Sequence, residues 1–100
     1  MSADLRIETF QNLQGDVFRL SAPGDGELEL RLTGVAPLSA ASAAPGSPRT
    51  PFALYFHGPL SPWARQATYR LEHALLGANE MFIVPLGPDE RGMRYEAIFT

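Results

Sequence analysis

Hydrophobic and polar residues alternate along much of the chain, most regularly over 27–33, where three leucines are separated by charged residues. Such alternation is typical of a strand that buries one face in an antiparallel sheet. A second alternating run covers 16–20, and the proline and glycines at 23–26 favour a turn between the two runs. The sequence therefore predicts a β-hairpin over 16–33.

The second half of the chain contains four further strand-like runs, separated by turn signals. We predict strands over 52–57, 68–73, 81–84 and 94–99. The run 81–84 is apolar at every position, so we expect a central strand that is covered on both faces. Pro85 and Pro88 cannot donate a ladder hydrogen bond, so strand pairing is expected to stop near them.

The N-terminal region combines two short patterns. Alternation over 5–8 predicts a short edge strand. Thr9 then offers an N-cap hydroxyl for a helical turn, which places Phe10 and Leu13 on one face. Gly15 is predicted to end that turn in the left-handed conformation.

These elements predict an all-β fold, a small antiparallel barrel or sandwich of six to seven short strands with one short N-terminal helical turn. The consecutive hairpins favour a meander. Residues 1–100 are expected to form a single β domain. A loop rich in proline, alanine and serine covers 37–51, and because its side chains offer little to bind with, we expect it to be mobile.

Composition removes several classes of function. The net charge of −3 argues against nucleic acid and against an anionic membrane as partners. All eight basic residues are arginines, but they are scattered among acidic residues, which fits codon bias in a GC-rich genome better than a recognition surface. The absence of cysteine excludes disulfides, thiolate metal sites and thiol nucleophiles.

The expected location is the cytoplasm. The N-terminus carries charges and lacks the apolar core of a signal peptide, and no run approaches the ~20 apolar residues that span a bilayer. Export as part of a larger assembly stays open.

The best candidate for chemistry is the segment that contains Arg70, Glu72 and His73. Arg70 and Glu72 share one strand face and either pair with each other or face Arg94 or Glu96 on another strand. One interpretation is an acid–base set in which Glu72 and His73 serve a hydrolase-type enzyme. The other is a salt-bridge ladder on the surface with a structural histidine.

No catalytic residue, metal or cofactor is predicted. His57 and His73 are the only histidines, whereas a zinc site needs three or four ligands. The G-x-S-x-G elbow of a serine hydrolase is absent. No glycine-rich motif that cradles phosphate is present either.

Two sets of aromatic residues offer binding hypotheses. Trp63, with Leu60 and the prolines at 59 and 62, forms either an exposed apolar cluster of the kind found at interfaces or a plug at one end of the barrel. The second hypothesis is a ligand cavity, lined by Phe56, Tyr69, Phe82 and Tyr95.

Several motifs of the second half resemble those of a small family of uncharacterised bacterial domains of about this length. They are F-x-L-x-F-x-G-P at 52–59, T-Y-R-L-E-H at 68–73, L-G at 76–77, F-I-V-P-L-G at 82–87 and R-Y-E-A-I-F at 94–99. Ala67 stands where the family usually has glycine. Members of that family look to be encoded near phage-tail-collar-like proteins, so the resemblance implies a role in an assembly.

The leading hypothesis is a non-enzymatic protein-interaction or assembly module of unknown partner, linked to a phage-tail-like structure. A small-ligand-binding β-barrel is the alternative, and an enzyme that uses Glu72 and His73 comes third. The partner is expected to be another protein. A homodimer stays open because an edge strand can pair with a copy of itself.

Overall fold

The computed structural model describes residues 5–22, 26–39, 46 and 50–100. Within these residues the chain forms one helix and six strands, as the all-β prediction requires. They are α1 (Ile7–Gln11), β1 (Val17–Ala22), β2 (Gly26–Pro37), β3 (Phe52–Gly58), β4 (Ala67–His73), β5 (Gly77–Asp89) and β6 (Gly92–Phe99). In the described part of the chain, no helix is long and apolar enough to cross a membrane.

The six strands form a closed antiparallel barrel in the order β1-β2-β3-β6-β5-β4, with β4 returning to pair with β1. Each half of the chain is a three-stranded meander. The predicted meander does not continue from β3 to β4, because β3 pairs with β6 instead. The connection over 59–66 therefore joins two strands that are not neighbours in the barrel.

Strand β5 is longer than predicted because it changes partner along its length. It pairs with β4 as far as Ile83 and with β6 from Val84 to Asp89. Pro85 and Pro88 lie in this second part, where the strand needs N–H donors on one side only. The expectation that pairing stops at the prolines is therefore wrong.

The expectation of a strand covered on both faces is also wrong. Met81 and Ile83 are buried inside the barrel, whereas Phe82, between them, is 51% exposed on the outer surface. A closed barrel of six strands has one interior, so alternate residues of an apolar run must face outwards.

The N-terminal prediction is partly wrong. Residues 5–8 do not form an edge strand, because α1 begins at Ile7 and its N-cap is Arg6 rather than Thr9. The apolar spacing over Ile7, Phe10 and the following turn directs this helical segment onto the barrel, and that packing overrides a four-residue alternation. The predicted left-handed residue is confirmed, since Gly15 has a φ of 92°.

Aromatic rings fill one part of the interior. Phe10 of α1 is fully buried, and its ring centroid lies 5.8 Å from that of Phe52, 5.6 Å from that of Phe99 and 6.5 Å from that of Phe18. The helix α1 therefore fills part of the barrel interior with the side chain of Phe10. The other fully buried large side chains of the barrel include Leu30, Leu32, Leu54, Phe56, Leu71, Ile83 and Tyr95.

The long loop is closed at its base. Pro37 pairs with Phe52, and the Leu38 N–H donates to the Pro51 carbonyl at 2.9 Å. Mobility is predicted for the whole loop over 37–51, of which 40–45 and 47–49 lie outside the described residues, as do positions 23–25 of the predicted first turn. The pairing of β1 with β2 confirms the hairpin on either side of that turn.

Candidate functional site

The structure separates the predicted acid–base set. Arg70 Nε lies 3.5 Å from Glu72 Oε1 on the outer face of β4, so these two residues do pair. His73 is buried on the opposite face, because successive residues of a strand point to opposite sides. Arg94 and Glu96 lie on β6, which is not a neighbour of β4. Glu72 and His73 both border an open cleft of about 540 Å³, but among the described residues Glu72 pairs with Arg70 and His73 with Asp16, not with each other.

His73 has a structural role that its surroundings define. Its Nδ1 accepts hydrogen bonds from the N–H groups of Leu75 (3.1 Å) and Leu76 (3.3 Å). This nitrogen is therefore unprotonated, and Nε2 carries the proton that is donated to Asp16 Oδ2 at 2.8 Å. The ring also lies against Phe18, with 4.8 Å between centroids. His73 thus fixes the turn after β4 and ties it to the start of β1.

A second histidine network was not predicted. His57 Nδ1 lies 2.8 Å from Thr33 Oγ1, and His57 Nε2 lies 2.9 Å from Asp89 Oδ2. The Arg91 N–H donates to the other carboxylate oxygen of Asp89 at 2.8 Å. The hydrogen bond from His57, and then that from Arg91, hold the pKa of the Asp89 carboxyl below its usual value.

This network can keep its partners in two protonation states. When His57 is neutral with the proton on Nε2, Thr33 donates its hydroxyl proton to Nδ1. When His57 is protonated, Nδ1–H donates to Thr33 Oγ1, and the hydroxyl can donate to the Tyr55 carbonyl at 3.3 Å. The same gain of a proton at His73 would break two backbone hydrogen bonds. His57 can therefore keep its hydrogen-bond partners in both protonation states, whereas His73 can keep them only in the neutral state.

Trp63 does not plug the barrel. It is 48% exposed, whereas its neighbour Ala64 is buried and donates its N–H to Tyr95 Oη at 2.8 Å. Trp63 lines an open cleft of about 430 Å³, which we call the Trp63 cleft. Its lining residues are Leu20, Gly26, Glu27, Leu28, Pro62, Trp63, Ala64, Arg65 and Tyr69.

The four residues predicted to line a ligand cavity do not share one space. Phe56 and Tyr95 are fully buried in the interior, whereas Tyr69 is half-buried and Phe82 lies outside. Phe82 is placed outside because it alternates with two inward residues. Ligand binding inside the barrel stays a prediction, and a ligand there would have to share the interior with the side chains of Phe56 and Tyr95.

Replacing Tyr95 by phenylalanine should lower the free energy of unfolding by about 1–3 kcal/mol. The substitution keeps the ring but leaves the buried N–H of Ala64 without its acceptor. Burial already raises the pKa of the Tyr95 hydroxyl, as expected for a group removed from water. Urea denaturation measures the change.

The control for this experiment is Tyr69→Phe. The Tyr69 hydroxyl donates to the Arg65 carbonyl at 2.7 Å in an exposed position, where water can replace it. This variant should therefore lose less stability than Tyr95→Phe. Equal losses in the two variants would show that the Ala64 N–H is satisfied in another way.

No sequence signal could have identified the Thr33–His57–Asp89 network. Its members come from β2, β3 and the end of β5, and only the strand register brings them together. Among the described residues, no group of three or more histidine or acidic side chains could hold a metal ion.

The fold and these clusters define a small closed antiparallel β-barrel with an open aromatic cleft. The chain belongs to the family described as a domain of unknown function, DUF6916, whose model matches residues 5–99. No curated protein and no solved structure matches the chain.

Proposed function

We propose that this domain is a non-enzymatic protein-interaction module, which binds an apolar segment of a partner protein in the Trp63 cleft. The observation that carries the proposal is the exposure of Trp63 beside an open cleft. Leu60, in the same connection, is 57% exposed. Tryptophan and tyrosine are the side chains that most often contribute large shares of binding energy at interfaces.

The cleft has the composition of an interface. Leu28, Pro62 and Tyr69 give it apolar walls, and Glu27 and Arg65 bring charge of both signs to its lining. An apolar centre with a polar rim is the usual arrangement at a protein–protein contact. A partner segment that combines an apolar anchor with polar flanking groups matches this mixed lining.

The backbone that carries Trp63 is held in place. Ala64 is buried and its N–H is bonded to Tyr95, which belongs to the core. A side chain presented from a fixed backbone loses less conformational freedom when a partner binds. The Ala64–Tyr95 contact thus supports recognition at the neighbouring position.

The test is an affinity capture from the native host with the purified protein as bait, followed by mass spectrometry. Two baits are compared with the unmodified chain, namely Trp63→Ala and the matched control Phe82→Ala, which removes an equally exposed aromatic ring from the outer face of β5. Components of phage-tail-like assemblies are the first partners to look for, since the sequence resemblance suggests them.

We expect a stoichiometric partner with the unmodified chain and with Phe82→Ala. Trp63→Ala should weaken affinity for that partner about 30-fold, which corresponds to the ~2 kcal/mol of an interface hot spot. Equal capture by both variants would remove Trp63 from the interface. Recovery of the bait alone would contradict the proposal, and sedimentation would then show whether a second copy fills the cleft.

A further inference from the structure

Basic residues from three neighbouring strands form a row on the outer surface of the barrel. In the strand register, Arg31 of β2 is the partner of His57 on β3, and His57 is in turn the partner of Arg94 on β6. Arg91 belongs to the turn between β5 and β6. The chain as a whole has a net charge of −3, so this local excess of arginine is a property of the fold and not of the composition.

The arginines are anchored by neutral groups. Arg31 Nη1 donates to the Gly15 carbonyl, and Arg94 donates from Nε to the Gly87 carbonyl (3.2 Å) and from Nη2 to the Leu86 carbonyl (3.3 Å). A carbonyl oxygen orients a guanidinium without cancelling its charge. Neither arginine forms an ion pair with another residue that the structure describes, and the same holds for Arg91.

Two carboxylates oppose this charge only in part. Asp89 accepts hydrogen bonds from His57 and from the Arg91 N–H, and its charge acts on Arg94, which lies outside the cleft. Glu29 lines the same cleft, but it is also the register partner of Arg19 on β1. The lining of the cleft itself holds two arginines, Arg31 and Arg91, and one carboxylate, Glu29, so its formal charge is positive.

The cleft at this row has room for a small ligand. It measures about 480 Å³, and its polar lining includes Arg31, Thr33, His57 and Arg91. Each guanidinium has five N–H donors, of which Arg31 uses one for Gly15. Planar forks of this kind match the oxygens of a phosphate group.

We propose that this cleft, which we call the Arg91 cleft, is a binding site for a small phosphate-bearing anion, such as inorganic phosphate or a phosphate monoester. Arg91 and Arg31 bind the phosphate oxygens, and His57, held between Thr33 and Asp89, forms part of the floor. The site has no lining residue in common with the Trp63 cleft. The proposal is therefore independent of the protein-binding function.

The experiment is an NMR titration of the ¹⁵N-labelled protein with inorganic phosphate at constant ionic strength and pH, with chloride as the balancing anion. Saturable shifts are expected at the amides of Thr33, His57 and Arg91. Arg91→Ala should weaken phosphate binding about tenfold or more, as expected for the loss of charged hydrogen bonds. The turn itself should survive this change, because its contact with Asp89 uses the backbone of residue 91.

The matched control is Arg70→Ala, which removes an exposed arginine from β4, outside the cleft. This variant should bind phosphate as the unmodified protein does. If the NMR shifts rise linearly without saturation, or if both substitutions weaken phosphate binding equally, the shifts reflect general charge screening and the proposal is overturned. Tighter binding of acetate than of phosphate would overturn the assignment to phosphate.

Discussion

Alanine in place of Phe10 is expected to lower the free energy of unfolding by about 3–5 kcal/mol. The Phe10 ring is fully buried and lies against Phe18, Phe52 and Phe99, so its removal leaves a cavity between α1 and the barrel. A domain is usually stable by only about 5–15 kcal/mol, so this loss is a large fraction of the total. Urea denaturation, followed by the fluorescence of the single tryptophan, measures it.

The control for Phe10 is Phe82→Ala, the same substitution on the outer face of β5. Phe82 is 51% exposed to water, so its replacement should lower the free energy of unfolding by much less than the replacement of Phe10 does. The slope of unfolding free energy against urea should stay the same in both variants. A loss at Phe10 no greater than that at Phe82 would mean that α1 does not pack as the structure shows.

Replacing Gly92 by alanine should lower the free energy of unfolding by a comparable amount, about 3 kcal/mol or more. Gly92 has a φ of 133°, and a Cβ at this position would lie 2.2 Å from the Gly58 carbonyl oxygen. That oxygen belongs to the backbone of β3, where Gly58 pairs with Met93 of β6. Relief of the clash would therefore require opening the β3–β6 pairing.

Gly77→Ala is the matched control for this second prediction. Gly77 also has a positive φ, 81°, but apart from the glycine itself and its two chain neighbours no heavy atom lies within 4 Å of the position that its Cβ would take. It should show only the cost of a left-handed backbone, about 1–2 kcal/mol. Thermal unfolding of the two variants compares them directly. Similar melting temperatures would show that the barrel end relaxes around the new methyl group.

The alternation of apolar and polar residues was sufficient to predict the positions of most strands. The structure confirms strands at the runs over 16–20, 27–33, 52–57, 68–73 and 94–99. Most of these residues alternate between the core and the surface, although Phe52, Ala53 and Leu54 are all buried. The pattern failed over 81–84, where every residue is apolar and no alternation shows which side chains face inwards. It also failed over 5–8, because four residues fit a helical and a strand period equally well.

The sites were harder to predict, because they depend on register. Trp63 could be selected from its residue type and its neighbours, but the sequence left open whether it is exposed or buried, and the structure shows it exposed beside a buried Ala64. Thr33 and His57 lie on two paired strands, and Thr33 stands at the irregularity between Leu32 and Gly34, where the pairing of β2 with β3 shifts. A single sequence does not show where the register of two paired strands shifts. Side-chain contacts across strands could therefore not be predicted from it.

The strand order also determines how the protein could be divided. A break within the connection over 59–66 would leave two continuous pieces, each of which keeps both of its own hairpins. The two pieces would be joined along the β3–β6 and β1–β4 ladders, through the shared core, and by the contacts of His73 with Asp16 and of His57 with Asp89. Neither piece could bury its apolar face alone, so reassembly from separate fragments would depend on their concentration, as in an obligate heterodimer.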